Sequence, residues 1–457
     1  MSLSPDRSPV DQVTPRIALP LIALATACVQ SPTPPSTTDA ARQREAQDVI
    51  EYAVTLEPSL TRPWLRGHEK IVFDAKSVAT DALIFTASGL QIANLRIDGK
   101  ESAATVVGDK LLIRVAPESR SRKESTVTLD FAGAPKRGYD VADGAIVTQY
   151  FACDWMVCAQ DDFGDKARMS LELILPKKMT TIGPGVLVHA DFDASGLFHA
   201  RWKEDRPYSA YLFAFAAGEF RDASMQTQGV MLRFFGANTT PDELSNLFAP
   251  TAAMLAFFRT KAGAPFPQRI FTQLLVTGSA AQEAAAHSII GRRAIAPIQD
   301  DPSEDWVIAH ELAHQWWGNA ITCRDLSEFW LNEGLTVFMV AAWKEHRWGR
   351  AAYVREMELA RTRHATAVAA EMDVALTFSG RYPSLSLRRA IQYSKGALFL
   401  DALREELGEE VFWRGFANYT RNNMGRTVTS RDFQSAMEDA SRRGLSQLFA
   451  KWVYGRS

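Results

Sequence analysis

Two histidines four residues apart, with a glutamate directly after the first, constrain this chain more than any other stretch: His310-Glu311-Leu312-Ala313-His314. On a helix that spacing puts both imidazoles on one face. The segment therefore has to fold as a helix whose inward face can use two imidazole nitrogens. Its flanks predict such a helix, with Asp301 as N-cap, Pro302 at the first helical position and Glu304 as the capping-box acid. Gly318 and Asn319 supply the stop. H-E-x-x-H is the arrangement of two zinc ligands with a carboxylate placed to activate a metal-bound water. Downstream, Phe329-Trp330-Leu331-Asn332-Glu333-Gly334 opens another apolar helical segment, from which Glu333 can turn a third ligand toward the imidazoles. Two neutral imidazoles and one carboxylate around Zn²⁺ leave a net positive charge and a free fourth position, the composition of a catalytic site.

The rest of the chain sets limits on that site. At 457 residues it exceeds the size at which one core keeps growing, so two domains are expected. Lys and Arg number 51 against 53 Asp and Glu, a balance that offers no electrostatic basis for binding nucleic acid or a membrane surface. There is no phosphate loop, dinucleotide fingerprint or Gly-x-Ser-x-Gly elbow.

The N-terminus reads differently. Residues 1–28 have the form of a signal peptide, with Arg7 and Arg16 ahead of an apolar run from Ile17 to Ala27 that is too short to span a bilayer. It ends Ala25-Thr26-Ala27-Cys28, similar to a bacterial lipobox with Cys28 as the acylated residue; a plain secretory signal cut near Ala27 is the other reading. Residues 29–45, rich in Pro, Ser and Thr, read as a tether. The expected location is extracytoplasmic, in a bacterial periplasm or at the cell surface, with the membrane reached only through the lipid. In such a compartment Cys153 and Cys158 could pair, or they could stay reduced and buried; Cys323 reads as a packed thiol.

Residues 46–236 are strand-like, as in the alternation of Ser170–Leu175 and the short run Lys110–Val115, and predict an antiparallel β-sandwich-like domain. Residues 237–457 change period: helical spacing over Asp242–Phe258, a strand at Phe271–Val276, the histidine helix, then mostly helix, including one from Leu385 to Leu407. Thr429-Ser430-Arg431-Asp432 marks a capped start for a late helix. The fold class is α+β in two domains.

The zinc-ligand segment His-Glu-Leu-Ala-His-Gln-Trp-Trp-Gly-Asn followed by Trp-Leu-Asn-Glu-Gly, with eighteen residues between His314 and Glu333, resembles the signature of the gluzincin aminopeptidases of the aminopeptidase N type. The resemblance extends in order from about Val49 to the C-terminus. It implies a thermolysin-like catalytic domain, one zinc ion per chain, and a short member of two domains acting on peptides with a free N-terminus. It also implies that Tyr393, in Gln392-Tyr393-Ser394-Lys395-Gly396, is the oxyanion donor, sixty positions beyond Glu333. The family's Gly-x-Met-Glu-Asn strand, which pairs with the peptide and grips its amine, reads here Ala280-Ala281-Gln282-Glu283-Ala284: Glu283 is kept, while the Gly, Met and Asn are replaced. Ala281, Gln282 and Glu283 are thus expected at the substrate. The second amine-binding segment, Thr-Gln-x-Glu, reads Thr148-Gln149-Tyr150-Phe151, with Gln149 kept and the acid lost to Phe151, which would instead shape the first side-chain pocket.

These residues support a zinc aminopeptidase in which Glu311 is the proton-transferring base. The altered strand motif leaves open an endopeptidase or another metal-dependent hydrolase, and a non-catalytic peptide-binding zinc lipoprotein is the third reading. Glu328 is a candidate to orient a ligand histidine.

Overall fold

The computed structural model describes residues 47–78, 81–142, 144–159 and 162–455. The signal-peptide and tether segments, and Cys28 with them, lie outside the described residues. Among the described residues no helix is long and apolar enough to cross a membrane.

Alternating burial along the strands from Val49 to Ser209 builds the expected sheet-rich first half. Its largest sheet has eight strands, in the order Val186–Phe192, Phe198–Ser209, Lys166–Leu175, Val49–Pro58, Leu65–Asp74, Glu124–Gly133, Leu90–Ile97 and Lys100–Glu101. The sheet is mixed rather than purely antiparallel, because Val49–Pro58 pairs parallel with Lys166–Leu175. A parallel pair needs a crossover connection, and here it is the long excursion through the intervening strands. Cys153 and Cys158 form a disulfide within this half, and Cys323 is a free, buried thiol in the other.

The second half is organised on a five-stranded sheet in the order Arg221–Thr227, Val230–Gly236, Ile270–Val276, His287–Gly291 and Ala281–Ala284. This sheet corrects the expected boundary at residues 236 and 237. Met231–Gly236 pairs in parallel with Ile270–Leu275, and Val230, Leu232 and Phe234 pack into the helical core, so a cut at 236 would divide one sheet. Apart from Ala285, the apolar core of the first half lies at or before Ala217, and that of the second begins at Val230, which places the change between them. The helical run expected over Asp242–Phe258 is two helices, Pro241–Leu247 and Thr251–Ala262, broken by Pro250, whose ring cannot continue the first.

The histidine helix is shorter than its flanks suggested, spanning Trp306–Ala313. Asp301 does not cap it: its Oδ1 accepts from the Ser303 N–H in a tight turn, and Asp305 stands at the helix start with its Oδ2 accepting from the Trp343 indole N–H. Such local Asp turns compete directly with helix initiation. The late helix, Ser430–Ser441, does start on the Thr429–Asp432 capping box.

The two halves are tied by Lys166. Its Nζ, carried by a sandwich strand, donates to the carbonyls of Asn319 at 3.2 Å, Ala320 at 2.8 Å and Arg426 at 3.2 Å. Where the five-stranded sheet is buried, His287 is enclosed, with Nδ1 at 3.1 Å from the Ala285 carbonyl and Nε2 without a partner. A neutral ring tolerates that bare nitrogen; a protonated one would bury an unsatisfied N–H. Burial accordingly pushes its pKa down from 6.5 to about 4. Because the folded value lies below the unfolded one, the unfolded chain takes up the proton first. The stability contribution is complete above pH 6.5 and declines as the pH falls toward 4, by about 3 kcal/mol in total. Urea unfolding across that window should show this acid limb, and His287→Gln should flatten it.

Candidate active site

The histidine helix presents His310 and His314 as its spacing required, with their Nε2 atoms 3.0 Å apart. His314 Nδ1 donates to the Trp317 carbonyl at 3.0 Å, which places the proton on Nδ1 and leaves a lone pair on Nε2. That carbonyl, not Glu328, orients the ligand ring. Glu328 is committed elsewhere, accepting from the Ser430 N–H at 3.0 Å and from the Ser430 hydroxyl, because the late helix brings its first turn against it. Glu333, in the first turn of Trp330–Trp348, brings Oε2 to 3.3 Å from His310 Nε2 and 3.4 Å from His314 Nε2. Among the described residues these three side chains form the group able to hold a metal ion.

The chemistry of this donor set fits zinc: two imidazole nitrogens and a carboxylate oxygen converge on one point. The field there calls for a cation. Burial pushes the His314 imidazole down, but Glu333, Glu283 and Glu311 outweigh it and carry its pKa up to about 10. Glu311 is buried with Oε2 unpartnered. Burial, reinforced by Glu283 and Glu333 against the opposing pull of His314, raises its carboxyl well above the usual carboxylate range.

Tyr393 arrives on the run from Leu385 to Leu407, which is one continuous helix interrupted by a π-helical stretch over Arg389–Lys395. Such widened turns are frequent at functional sites. Its ring stacks on His310 with centroids 6.4 Å apart. Burial, then the charges of Glu333 and Glu283, raise its pKa well above 10, so the phenol keeps its proton and can donate. The approach of this helix to Glu333 rests on two glycines. A Cβ on Gly334 would stand 2.9 Å from Gly396 Cα and 3.1 Å from the Gln392 carbonyl, and one on Gly396 would stand 2.9 Å from Gly334 Cα.

Glu283 lies on Ala281–Ala284, the edge strand of the five-stranded sheet, and is buried. Burial first, moderated by His314 and reinforced by Glu333, pushes its carboxyl up to about 7. Gln282, expected at the substrate, turns to the other face. Its Oε1 accepts from the Tyr150 N–H at 2.9 Å and its Nε2 donates to the Tyr211 carbonyl at 3.4 Å, since alternate strand residues point to opposite faces. Gln149 lines a cavity of about 1070 Å³ with Asp140, Val147, Thr277 and Arg292, whose walls include none of the metal-site residues. Phe151 lies beneath the Arg137 guanidinium, 4.3 Å from the ring centroid, rather than against the metal group.

Several positioning residues escaped the sequence reading. Gln315 Nε2 and Asn319 Nδ2 both donate to the Ala284 carbonyl at 3.1 Å, fastening the edge strand to the histidine segment. Asn332 accepts from the Cys323 N–H at 3.0 Å and donates to the Tyr211 hydroxyl at 3.1 Å. All three sit inside the two zinc-binding stretches, and their polar character in otherwise apolar runs was the available signal.

Fold and site together define a two-domain metallopeptidase-like architecture. Residues 280–452 match the peptidase family M1 domain. It is 24% identical over 405 residues to probable aminopeptidase 1 of Saccharolobus solfataricus, covering 85% of this chain and 51% of that protein. It is 27% identical over 278 residues to aminopeptidase N of Escherichia coli, covering 56% and 31%. The chain thus spans about half the length of the first of these relatives and less of the second. An M1 zinc metallopeptidase from Deinococcus radiodurans superposes with a TM-score of 0.76 at 19% identity, over 90% of this chain and 94% of that one. Its form bound to a Tyr-Ser-Ala substrate gives 0.75, over 90% and 95%.

Gly334→Ala should separate the two helices that carry Glu333 and Tyr393. The expected loss is about 1–3 kcal/mol in unfolding free energy, together with faster loss of zinc to a chelator.

Proposed function

We propose that this chain is a zinc-dependent aminopeptidase that releases N-terminal residues from peptides. The observation that carries the reading is the convergence of His310, His314 and Glu333 with a buried Glu311, a protonated Tyr393, and Glu283 on an open strand edge. The names of the relatives support it, as does the peptide held by the structural neighbour from Deinococcus radiodurans.

His310, His314 and Glu333 would hold the metal, which when bound lowers the pKa of a coordinated water to about 7 and polarises the scissile carbonyl. Glu311 takes the proton of the attacking water and passes it to the leaving amine; its raised pKa suits a group that must be protonated in mid-reaction. Tyr393 donates to the oxyanion that develops on the carbonyl, an interaction worth on the order of 3 kcal/mol. Glu283 accepts from the peptide's α-ammonium, and so measures one residue from the end. The peptide backbone adds to the sheet along Ala281–Ala284.

We further propose that the protein works outside the cytoplasm, anchored through Cys28. The disulfide between Cys153 and Cys158 supports an oxidising compartment.

One alternative has a specific observation behind it. With Phe151 in place of the second acid and Gln149 on a separate cavity, Glu283 is the one carboxylate assigned to the amine, so endopeptidase action is the competing outcome. Two measurements decide. Glu311→Gln should retain zinc while kcat falls by about 10²–10⁴; unchanged turnover would remove Glu311 from the mechanism. Acetylating the N-terminus of a peptide substrate should abolish its cleavage, and internal cutting of the acetylated peptide would overturn the exopeptidase reading.

A further inference from the structure

The edge strand carries a feature that the proposed reaction does not use. The Gly291 N–H donates to the Ala280 carbonyl at 2.6 Å, and Ala281 pairs with Ile290, Gln282 with Ile289 and Glu283 with Ser288. In an antiparallel ladder, bonded and non-bonded pairs alternate. Ala280, Gln282 and Ala284 therefore turn their backbone groups toward the inner neighbour, while Ala281 and Glu283 turn theirs outward, to the open edge. An extended peptide laid along that edge would exchange its N–H and C=O with Ala281.

The outward carbonyl of Ala281 already has a donor, the hydroxyl of Tyr150. Tyr150 reaches it from the other half of the chain. Its backbone is left-handed, with φ at 57°, a conformation disfavoured for a side chain of this size. The Tyr150 N–H, bound to Gln282 Oε1 at 2.9 Å, holds it there. Burial first, then the charges of Glu311, Glu283 and Glu333, keep the proton on that hydroxyl, so it stays a donor. The side chain is 38% exposed, which leaves it room to leave.

We propose that Tyr150 selects substrates by length: its hydroxyl occupies the edge-strand acceptor at Ala281, and an extended peptide must displace it. Single aminoacyl amides, too short to lie along the edge, bind without that displacement. The proposal rests on the peptidase reading of the site, and its test is independent of turnover. In zinc-loaded Glu311→Gln protein, calorimetry compares alanine amide with trialanine, with and without Tyr150→Phe, which removes only the hydroxyl. Phe should tighten trialanine about three- to tenfold, leave alanine amide unchanged, and lose its gain when the peptide N–H facing Ala281 is N-methylated. Equal trialanine affinities in the two forms, including no measurable binding by either, would overturn the proposal, as would the same gain for alanine amide. Turnover of an aminoacyl arylamide by the unaltered protein is scored separately: an inert enzyme sinks the aminopeptidase reading, while the affinity comparison still decides the role of Tyr150.

Discussion

Three carboxylates and two imidazoles share a buried space around one point, and the rest of the second half is arranged so that they cannot escape it. Taking charges out of water costs several kcal/mol per ion even after relaxation. Left to themselves, Glu283 and Glu311 would take up protons or turn to solvent. The upward pressure on the Glu283 and Glu311 carboxyls, and on His314, is the signature of a site that calls for a cation at its centre. A metal ion answers that demand.

What prevents relaxation is backbone geometry more than side-chain bulk. The contact of Gly334 with Gly396 lets two helices approach more closely than any Cβ allows, and so sets Tyr393 beside Glu333. The widened turn at Arg389–Lys395 lies in the same contact. On the other side, Gln315 and Asn319 grip the Ala284 carbonyl, while Lys166 and Tyr211 hold the loop after the histidine helix to the sandwich. The first half is thus a structural wall of the site as well as a separate core.

This arrangement explains how the strand motif can lose its Gly, Met and Asn. In the proposed mechanism, strand addition uses backbone groups, which any residue supplies, and Gln315 and Asn319 hold the strand in place through the Ala284 carbonyl. In that mechanism Glu283 supplies a charge, which no backbone group can. The side chain at position 282 is free to serve the junction between the two halves, where it holds Tyr150.

Much of this was legible in the chain as written. The four-residue spacing of His310 and His314 and the capping box at Thr429 are local, and helix periodicity alone turns them into geometry. Other features were misread because a local alternative competed. Asp301 makes a turn instead of a cap, and Glu328 meets Ser430 instead of a histidine, since its partner lies a hundred residues away. The sequence by itself determined that His310 and His314 share one helix face and that a sheet-rich half precedes a helical one, because these rest on periodicity within single elements. Only the tertiary structure decided where the residues flanking the metal group turn. Gln282, Gln149, Phe151 and Tyr150 owe their roles to strand parity and to the meeting of two distant halves, and long-range contact of that kind leaves no periodic trace along the chain.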